Sequence, residues 1–312
     1  MADMFLVADI GGTNTRVGLA DDTGLLPETT LRFRNRENAN FRTVLETYLA
    51  DHAEATIIGA CAGAAGPVKD GVAKLTNLDW QIDRQTLQDV TGAKIVDVIN
   101  DLPAQGLALD DLAEGTTQLL KAGEAKPRGA RLVLGLGTGV NLVPVHQVGD
   151  MLLAPSAEAG HETLPYRKEQ AALCDWLRAE RQYPSVEVAL AGQGIENLYE
   201  FHAKTTRAAA DVVAGYHTGD AACVAAMTDY VALLGAVIGD HALVHMPEGG
   251  IFLTGGVARS VAPIMKNLHF ADVMCDKGRF SDLAGSFSVN LITDDFAALK
   301  GCARHLRQLA RG

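Results

Sequence analysis

A strand, a glycine-rich turn and a second strand open each half of the chain, and this repeated order limits the possible folds more than any other feature. The segments are residues 4–9, 11–14 and 16–20 in the first half, and residues 131–134, 135–139 and 141–146 in the second. Apolar segments of strand length that meet at a short glycine turn indicate β-hairpins. The sequence therefore predicts two related halves, each built around its own hairpin.

Helices and further strands alternate around the two hairpins. Apolar spacing predicts strands at 31–33, 56–63, 72–75, 94–99 and 250–254, and helices at 41–52, 83–91, 168–182, 194–203, 208–214, 220–245 and 296–309. At about 150 residues per domain, a chain of 312 residues indicates two domains. We therefore expect an α/β protein of two domains.

Charge and composition exclude several classes of function. The net charge of −11 disfavours nucleic-acid binding, because an acidic surface repels phosphate backbones. No apolar run reaches the roughly 20 residues that span a bilayer, and no basic segment precedes the apolar start, so we expect neither a membrane span nor a signal peptide. The 5 cysteines are far apart, which argues against a disulfide framework or a cysteine zinc site and favours the cytoplasm.

The first turn, Gly11-Gly12-Thr13-Asn14, has the composition of a phosphate-binding loop. Adjacent glycines let backbone N–H groups approach a phosphate, and Thr13 adds a hydroxyl donor. Asp9, just before the turn, could hold a hydrated Mg²⁺. The alternative is a plain hairpin turn whose glycines are needed for positive φ.

The second turn contains Gly137, Thr138 and Gly139 and offers the same chemistry. It does not match the dinucleotide-binding pattern, because Val140 occupies the third glycine position, and it lacks the Gly-Lys-Ser/Thr of a Walker A loop. Two such turns, one in each half, indicate a clamp on the two ends of a polyphosphate.

Asn100 and Asp101 follow an apolar strand and are the candidates for acid–base chemistry. Asp101 could be a general base that takes a hydroxyl proton. Alternatively, it could be the N-cap of a helix that starts at Leu102 and has Pro103 in its first turn.

Four other segments each have a functional and a structural interpretation. Glu158 and His161 could both bind one polyol or could belong to a surface loop, and Glu187 could join them or be a solvated helix end. Gly255 and Gly256 could lie under a nucleoside or simply connect a strand to a helix. His241 and His245 have a spacing that can bind zinc, but without an HExxH pattern we favour core or helix-end histidines.

The order of these segments resembles bacterial glucokinases, of the hexokinase/actin/heat-shock ATPase superfamily, over nearly the whole chain. Clustered-cysteine zinc motifs are typical of the other bacterial sugar-kinase group, ROK, so the non-ROK branch fits better. The matching segments are Asp9-Ile-Gly-Gly-Thr-Asn14, Leu75-Thr-Asn77-Leu-Asp-Trp80, Ile99-Asn100-Asp101, Gly137-Thr138-Gly139, Glu158-x-Gly160-His161, Glu187, Gly255-Gly256 and Asp276-Lys-Gly-Arg-Phe280.

The resemblance implies an actin-like ATPase (ribonuclease H-like) fold with an inter-domain cleft. Its small domain would comprise residues 1–108 and about 293–312, on the sugar and phosphate side, and its large domain residues 109–292, on the nucleotide and sugar side. It also implies phosphorylation of glucose at the 6-hydroxyl by ATP with Mg²⁺, the first step of glycolysis, and by analogy a homodimer.

By the same resemblance, Asp101 is the catalytic base and Asp9 contacts the metal through water. The implied sugar-binding residues are Asn100, Asp101, Glu158, His161 and Glu187, and the implied phosphate- and nucleotide-binding residues are Asp9, Gly11, Gly12, Thr13, Asn14, Gly137, Thr138, Gly139, Gly255 and Gly256.

The chain departs from the family pattern at three places. Ala159 stands where the family's Glu-Gly-Gly-His run has its first glycine, and Asn141 follows Gly-Thr-Gly-Val where a glycine is common. Residues 296–301 replace a common Asn-Pro-Gly-Leu-Leu-Gly run. The alternatives are a kinase for another hexose, or a hydrolase or nucleotide switch on the same scaffold, which would need the two turns but not the sugar-binding set.

Overall fold

The computed structural model describes residues 3–75 and 78–311. Thr76 and Asn77, which belong to one of the segments that resemble glucokinases, lie outside the described residues. The first elements in chain order are β1 (Asp3–Ile10), β2 (Asn14–Ala20), β3 (Leu25–Arg34), α1 (Phe41–Ala50), β4 (Thr56–Ala64), β5 (Val68–Lys69), β6 (Val72–Lys74), β7 (Gln81–Asp83), α2 (Arg84–Thr91), β8 (Ile95–Asn100) and α3 (Asp101–Leu107).

The rest of the chain alternates strands with longer helices. Its elements are β9 (Thr117–Lys121), β10 (Arg131–Leu136), β11 (Val140–Val148), β12 (Met151–Leu153), α4 (Ala171–Arg181), α5 (Val186–Leu190), α6 (Gly192–Ala203), α7 (Ala209–Thr218), α8 (Ala221–His245), β13 (Ile251–Thr254), α9 (Gly256–Met265), α10 (Phe270–Cys275), α11 (Ser281–Ser286), β14 (Val289–Ile292) and α12 (Ala297–Arg311).

The chain folds into two compact units. Unit 1 comprises Met1–Glu114, Val148–Ser156 and Asp294–Gly312, and unit 2 comprises Gly115–Gln147 and Ala157–Thr293. The second boundary, at residue 294, lies next to the expected one near 293. The first falls after residue 114 rather than 108, and residues 148–156, expected in the large domain, belong to unit 1. Within unit 1, Leu152 and Gln308 hold this segment by two hydrogen bonds, from the Leu152 N–H to Oε1 (2.7 Å) and from Nε2 to the Leu152 carbonyl (3.1 Å).

Unit 1 is built on a five-stranded sheet of order β3-β2-β1-β4-β8. The hairpin β1–β2 is antiparallel, while β4 and β8 run parallel to β1, so β1, β4 and β8 end at the same edge. Helices α1 and α2 border a core that contains Tyr48 and Trp80, and α12 packs with α3 against another face of the unit. A Cβ at Gly301 of α12 would lie 1.7 Å from the Ala104 carbonyl oxygen, so glycine there allows α12 to lie directly on α3.

Unit 2 contains a second mixed sheet, in which five strands follow the order β11-β10-β13-β14-β9. β10 and β11 form the antiparallel hairpin, and β13 runs parallel to β10. The core helix is α8, which is long and apolar enough to cross a membrane. However, 61% of its most apolar window is buried inside the protein. That burial is typical of a core helix, because neighbouring elements already cover the apolar face.

The structure confirms the predicted hairpins, the α/β class and most of the predicted elements. Local sequence signals explain this agreement. Asp83 and Asp220 cap α2 and α8 by accepting hydrogen bonds from backbone N–H groups two or three residues on. The predicted elements did not include β5, β7, β9, β12, β14, α5, α10 or α11, and helices at the positions of α3 and α9 were considered only as alternatives.

Candidate active site

Asp101 begins a helix at the edge where the parallel strands of unit 1 end. The N-cap of this helix, α3, is Asn100, whose Oδ1 accepts a hydrogen bond from the Leu102 N–H at 3.1 Å. The interpretation of Asp101 as the N-cap is therefore wrong, because the preceding residue does that work and Asp101 is the first helical residue. The Asp101 carboxyl is left available for another role.

Burial raises the pKa of Asp101 to about 7, and the neighbouring charge of Asp9 acts in the same direction. The backbone N–H groups of Leu102 and Asp101 oppose this rise but do not cancel it. A carboxyl with a pKa near 7 can take a proton at neutral pH and release it again, which is the property that a general base needs.

Asn100 uses most of its hydrogen-bonding capacity inside unit 1. Its Nδ2 donates to the carbonyls of Gly66 (2.8 Å) and Ala64 (3.4 Å), while Oδ1 accepts from Leu102. An amide oxygen has two lone pairs, so one acceptor position is left for a ligand hydroxyl.

Asp9 lies near the end of β1, opposite Arg16 on β2, whose Nη1 is 3.3 Å from Oδ2. Burial raises the pKa of Asp9, and the Arg16 guanidinium partly opposes that shift. Two partly buried carboxyls, Asp9 and Asp101, therefore sit close enough for one charge to affect the other.

The first glycine turn is held in place by Asn35, a buried residue that sequence reasoning missed. Its Nδ2 donates to the Gly11 carbonyl at 2.8 Å and its backbone N–H to the Thr13 carbonyl at 3.0 Å. Its Oδ1 accepts from the Thr15 hydroxyl at 2.8 Å. The separation of 20 residues or more left no local signal for these contacts. Gly11, Gly12 and Asn14 are partly exposed and Thr13 is exposed, so the turn itself is accessible.

Gly11, Gly137 and Gly256 have no requirement for glycine within the fold. The φ angles of Gly11 and Gly12 lie outside the left-handed region, so the explanation that this turn needs positive φ is wrong. A Cβ at Gly11 would come no closer than 3.5 Å to the Asn14 carbonyl oxygen. A Cβ at Gly137 or Gly256 would have no atom of the described residues within 4 Å. Glycine at these positions leaves room for a ligand to reach the backbone.

Two helix N-termini lie beside the second turn. The Gly192 N–H, at the start of α6, donates to the Gly137 carbonyl at 2.9 Å, and the neighbouring strand β13 leads into α9. Neither α6 nor α9 has a side-chain cap at its N-terminus. A Cβ at Gly255 would lie 2.2 Å from the Leu136 carbonyl oxygen, so this glycine is needed for packing against the turn. Uncapped helix N-termini carry partial positive charge and suit phosphate groups.

The segment with Glu158 and His161 lies against the helix that carries Glu187. Residues Ala159–His161 form a 3₁₀ turn, and the Val186 N–H of α5 donates to the Glu162 carbonyl at 3.0 Å. A Cβ at Gly160 would lie 3.4 Å from the Cβ of Glu187. Residues that are distant in sequence are therefore neighbours in unit 2, and Glu158 and His161 are exposed to solvent.

Both the segment and Glu187 contact the peptide that follows the second turn. The Val140 N–H donates to Oε2 of Glu187 at 2.9 Å, so Glu187 is not a solvated helix end. The Val140 carbonyl oxygen would lie only 2.0 Å from a Cβ at Gly160. Glycine at 160 therefore allows the segment to lie directly against the end of the second turn.

His241 and His245 stack on each other in α8, with ring centroids 5.7 Å apart. Nε2 of the buried His241 is 3.0 Å from Oε2 of Glu162. Across residues 3–75 and 78–311, no group of three or more His, Cys, Asp or Glu side chains is arranged to hold a metal ion. His241 therefore contacts the 158–162 segment through Glu162, and His245 packs on His241.

A cavity of about 580 Å³ lies in unit 1, and of the predicted site residues its lining includes Asn100. Charged side chains in its lining form hydrogen bonds with one another. Burial alone would raise the pKa of Asp97, but hydrogen bonds from His305 (2.7 Å) and Arg84 (2.8 Å) hold that pKa below its usual value. Burial thus raises the pKa of Asp101 and Asp9, while that of Asp97 in this cavity is lowered by its partners.

Comparison with known proteins gives a consistent result over the whole chain. The glucokinase family model matches residues 6–309. A glucokinase of Chelativorans sp. is 32% identical over 317 residues, covering 98% of this chain and 92% of the relative. The crystal structure of a glucokinase from an Antarctic psychrotroph is 29% identical, covers 99% of this chain and 100% of its own, and superposes with a TM-score of 0.90.

A more distant structure, Leishmania braziliensis glucokinase, is 18% identical, with a TM-score of 0.79 over 99% of this chain and 94% of its own, and shows the same fold. The fold is thus the two-domain actin-like ATPase fold that the sequence predicts. The extent of the family match, together with the full-length relatives, shows that this chain belongs to the glucokinase family.

Proposed function

We propose that this protein phosphorylates D-glucose at the 6-hydroxyl with ATP, giving glucose 6-phosphate and ADP. The observation that carries the proposal beyond family membership is the Asp101 carboxyl. It is half-buried, is not used as a helix cap, and has a pKa that burial raises to about 7. A nucleotide switch that transfers no phosphoryl group would have no need for such a base.

In the proposed reaction Asp101 accepts the proton of the sugar 6-hydroxyl as that oxygen attacks the terminal phosphorus of ATP. The bond between this phosphorus and the bridging oxygen breaks, and ADP leaves with the electron pair. Phosphoryl transfer requires little covalent chemistry from the protein, so orientation and charge stabilisation provide most of the rate enhancement.

The remaining sugar hydroxyls are assigned to Asn100, Glu158, His161 and Glu187. Two of these residues have an acceptor that can receive a hydrogen bond from a sugar hydroxyl. Asn100 has a second lone pair on Oδ1, and Glu187 has a second carboxylate oxygen besides the one that binds the Val140 N–H. A site built from such groups rejects a sugar that lacks a hydroxyl, because a buried polar group is then left unpaired.

We assign the phosphates of ATP to the two glycine turns, at Gly11, Gly12, Thr13 and Asn14 in unit 1 and at Gly137, Thr138 and Gly139 in unit 2. Gly255 and Gly256 are assigned to the nucleoside. The accessible turns and the uncapped starts of α6 and α9 support this assignment.

The residues of unit 1 fit Mg²⁺, which prefers carboxylate oxygen and keeps several water ligands. Asp9 would hold the ion through water, since its carboxylate lies at the edge of the sheet next to the first turn and close to a second carboxyl. When bound, Mg²⁺ neutralises charge on the phosphates. We further propose a cytoplasmic location and, by analogy with related kinases, a homodimer.

A panel of hexoses tests the proposal directly. ATP consumption by the purified protein with Mg²⁺ is measured alone and then with glucose, mannose, fructose and glucosamine. We expect almost no turnover until sugar is added, with the highest kcat/KM for glucose. Equal ATP turnover with and without sugar would identify a hydrolase or switch, and a higher kcat/KM for another hexose would change the substrate.

Zinc removal provides a separate prediction. Treatment with a zinc-selective chelator in excess Mg²⁺ is expected to leave glucose phosphorylation unchanged, because Glu162 already binds one nitrogen of His241 and the cysteines are scattered. Activity and zinc content are measured before and after treatment. Loss of activity together with zinc release would restore His241 and His245 as candidate ligands.

A further inference from the structure

We propose that Asn141 is a positioning residue for the sugar-binding segment, and that it fixes the backbone on both sides of Glu158. This inference rests on the proposed function, because it assigns a role to a residue in the same site.

The side chain of Asn141 makes three hydrogen bonds close to Glu158. Nδ2 donates to the Ala157 carbonyl at 2.5 Å, and Oδ1 accepts from the Ala159 N–H at 3.1 Å and from the Leu142 N–H at 2.8 Å. The first two bonds fix the peptide groups immediately before and after Glu158. Glu158 itself stays exposed, so its side chain remains accessible.

These contacts join two positions that are 18 residues apart in sequence, because the side chain of Asn141 binds the backbone N–H of Ala159. The next residue, Gly160, faces the Val140 carbonyl. The amide side chain therefore adds a constraint to a segment that a glycine at 141 would leave without these two bonds.

The position of Asn141 also relates the segment to the second turn. Asn141 pairs with Gly135 in the hairpin, and the preceding residue, Val140, binds Glu187 through its N–H. One short stretch, residues 140–141, thus contacts the backbone around Glu158, the glycine at 160 and the carboxylate of Glu187. Ordering these groups before the sugar arrives lowers the entropy cost of binding.

The test compares Asn141→Gly and Asn141→Ala with the wild-type protein and with a control, Asn290→Ala. Asn290 is also a half-buried asparagine of unit 2 that bonds to a backbone carbonyl, but on β14. We expect both Asn141 variants to raise KM for glucose by about 10-fold or more, because the bonds that hold the peptide groups before and after Glu158 are lost and the segment must then be ordered when the sugar binds. KM for ATP should stay close to wild type, and the melting temperature without sugar should fall by a few degrees at most, because the lost bonds are confined to one segment. The control should match wild-type KM values.

Hydrogen exchange gives a readout that does not depend on the reaction. Without sugar, exchange at the Ala159 amide and in residues 157–162 should accelerate at least 10-fold in the Asn141 variants and stay unchanged in Asn290→Ala. Unchanged exchange, or glucose KM values within 2-fold of wild type, overturns the inference. A lower melting temperature with unchanged glucose KM also overturns it, because that result describes a merely structural residue.

The two proposals can fail separately. If the wild-type protein does not phosphorylate glucose, the proposed function fails, and the exchange measurement still decides whether Asn141 orders the segment. If wild type phosphorylates glucose and the Asn141 variants match it, only the positioning role fails.

Discussion

Replacement of Asp101 by Asn is expected to lower kcat for glucose by at least about 10², while glucose affinity changes only modestly. The variant keeps the size and polarity of the side chain but cannot accept the hydroxyl proton, and a general base of this kind contributes about 10²–10⁴ in rate. Steady-state kinetics and glucose titration by calorimetry measure the two effects. A suitable control is Asp111→Asn, which removes a carboxylate of unit 1 that binds Arg304 and Arg307. It should affect stability rather than kcat.

The same residue predicts how rate and stability depend on pH. With a pKa of about 7, Asp101 is protonated in acid, so kcat/KM for glucose should fall about tenfold per pH unit below pH 7 and level off above it. Burial raises this pKa in the folded protein above the ordinary aspartate value of about 3.9, so the group makes the folded state less stable as pH rises from about 4 to 7. Asp101→Asn removes that loss and should melt higher than wild type at pH 8, with the difference disappearing towards pH 4. A lower melting temperature with turnover intact would mean that the carboxyl is structural.

Glu158→Gln is expected to lower kcat/KM for glucose by about 10- to 150-fold. The substitution keeps the size of the side chain but replaces an acceptor-only carboxylate with an amide that also donates. A charge-assisted hydrogen bond to a sugar hydroxyl is then weakened, at a cost of about 1.5–3 kcal/mol. KM for ATP should barely change, because the phosphates are assigned to the glycine turns.

Melting with and without glucose separates binding from folding in the Glu158 variant. Stability without sugar should match wild type, because Glu158 is exposed, while the stabilisation by added glucose should shrink. Glu169→Gln, which also changes an exposed acid of unit 2, is the matched control and should behave as wild type. Wild-type glucose kinetics in Glu158→Gln would remove the segment, including His161, from the sugar site, and the acceptor would become unspecified.

Local signals explain why much of the fold could be predicted. The helix predicted at 220–245 is found at Ala221–His245. Its signals lie within the segment itself: a long apolar run, and Asp220, which caps the backbone two and three residues on. Strands β9 and β14 were missed for the opposite reason. They are short, they pair across more than 150 residues, and Leu119 of β9 points an apolar side chain to solvent. Neither strand has an alternating pattern that sequence reasoning can detect.

The sequence proposes the residues of the candidate site but does not show how they are held in place. The sequence left open whether Asp101 is a general base or the N-cap of the following helix. The extended backbone of Asn100 (φ −69°, ψ 149°) makes it the cap.

Two residues that hold the site in place, Asn35 and Asn141, bind backbone groups up to 24 residues away, so no short motif indicated them. The return of residues 148–156 to unit 1 depends on Gln308, 156 residues beyond Leu152, and had no local signal either.

The position of α12 has a consequence for folding during synthesis. Unit 1 needs the apolar side chains of Leu299, Cys302 and Leu306 to complete the core that also contains Phe5 and Val7. These residues leave the ribosome after residues 115–296, which at roughly 5–20 residues per second takes on the order of 10 to 40 seconds. During that time the face of the first sheet that packs against α12 stays exposed to solvent, while most of unit 2 has already been synthesised and can fold. The nascent chain is therefore most exposed to aggregation through its earliest strands, and release of α12 is the event that ends this exposure.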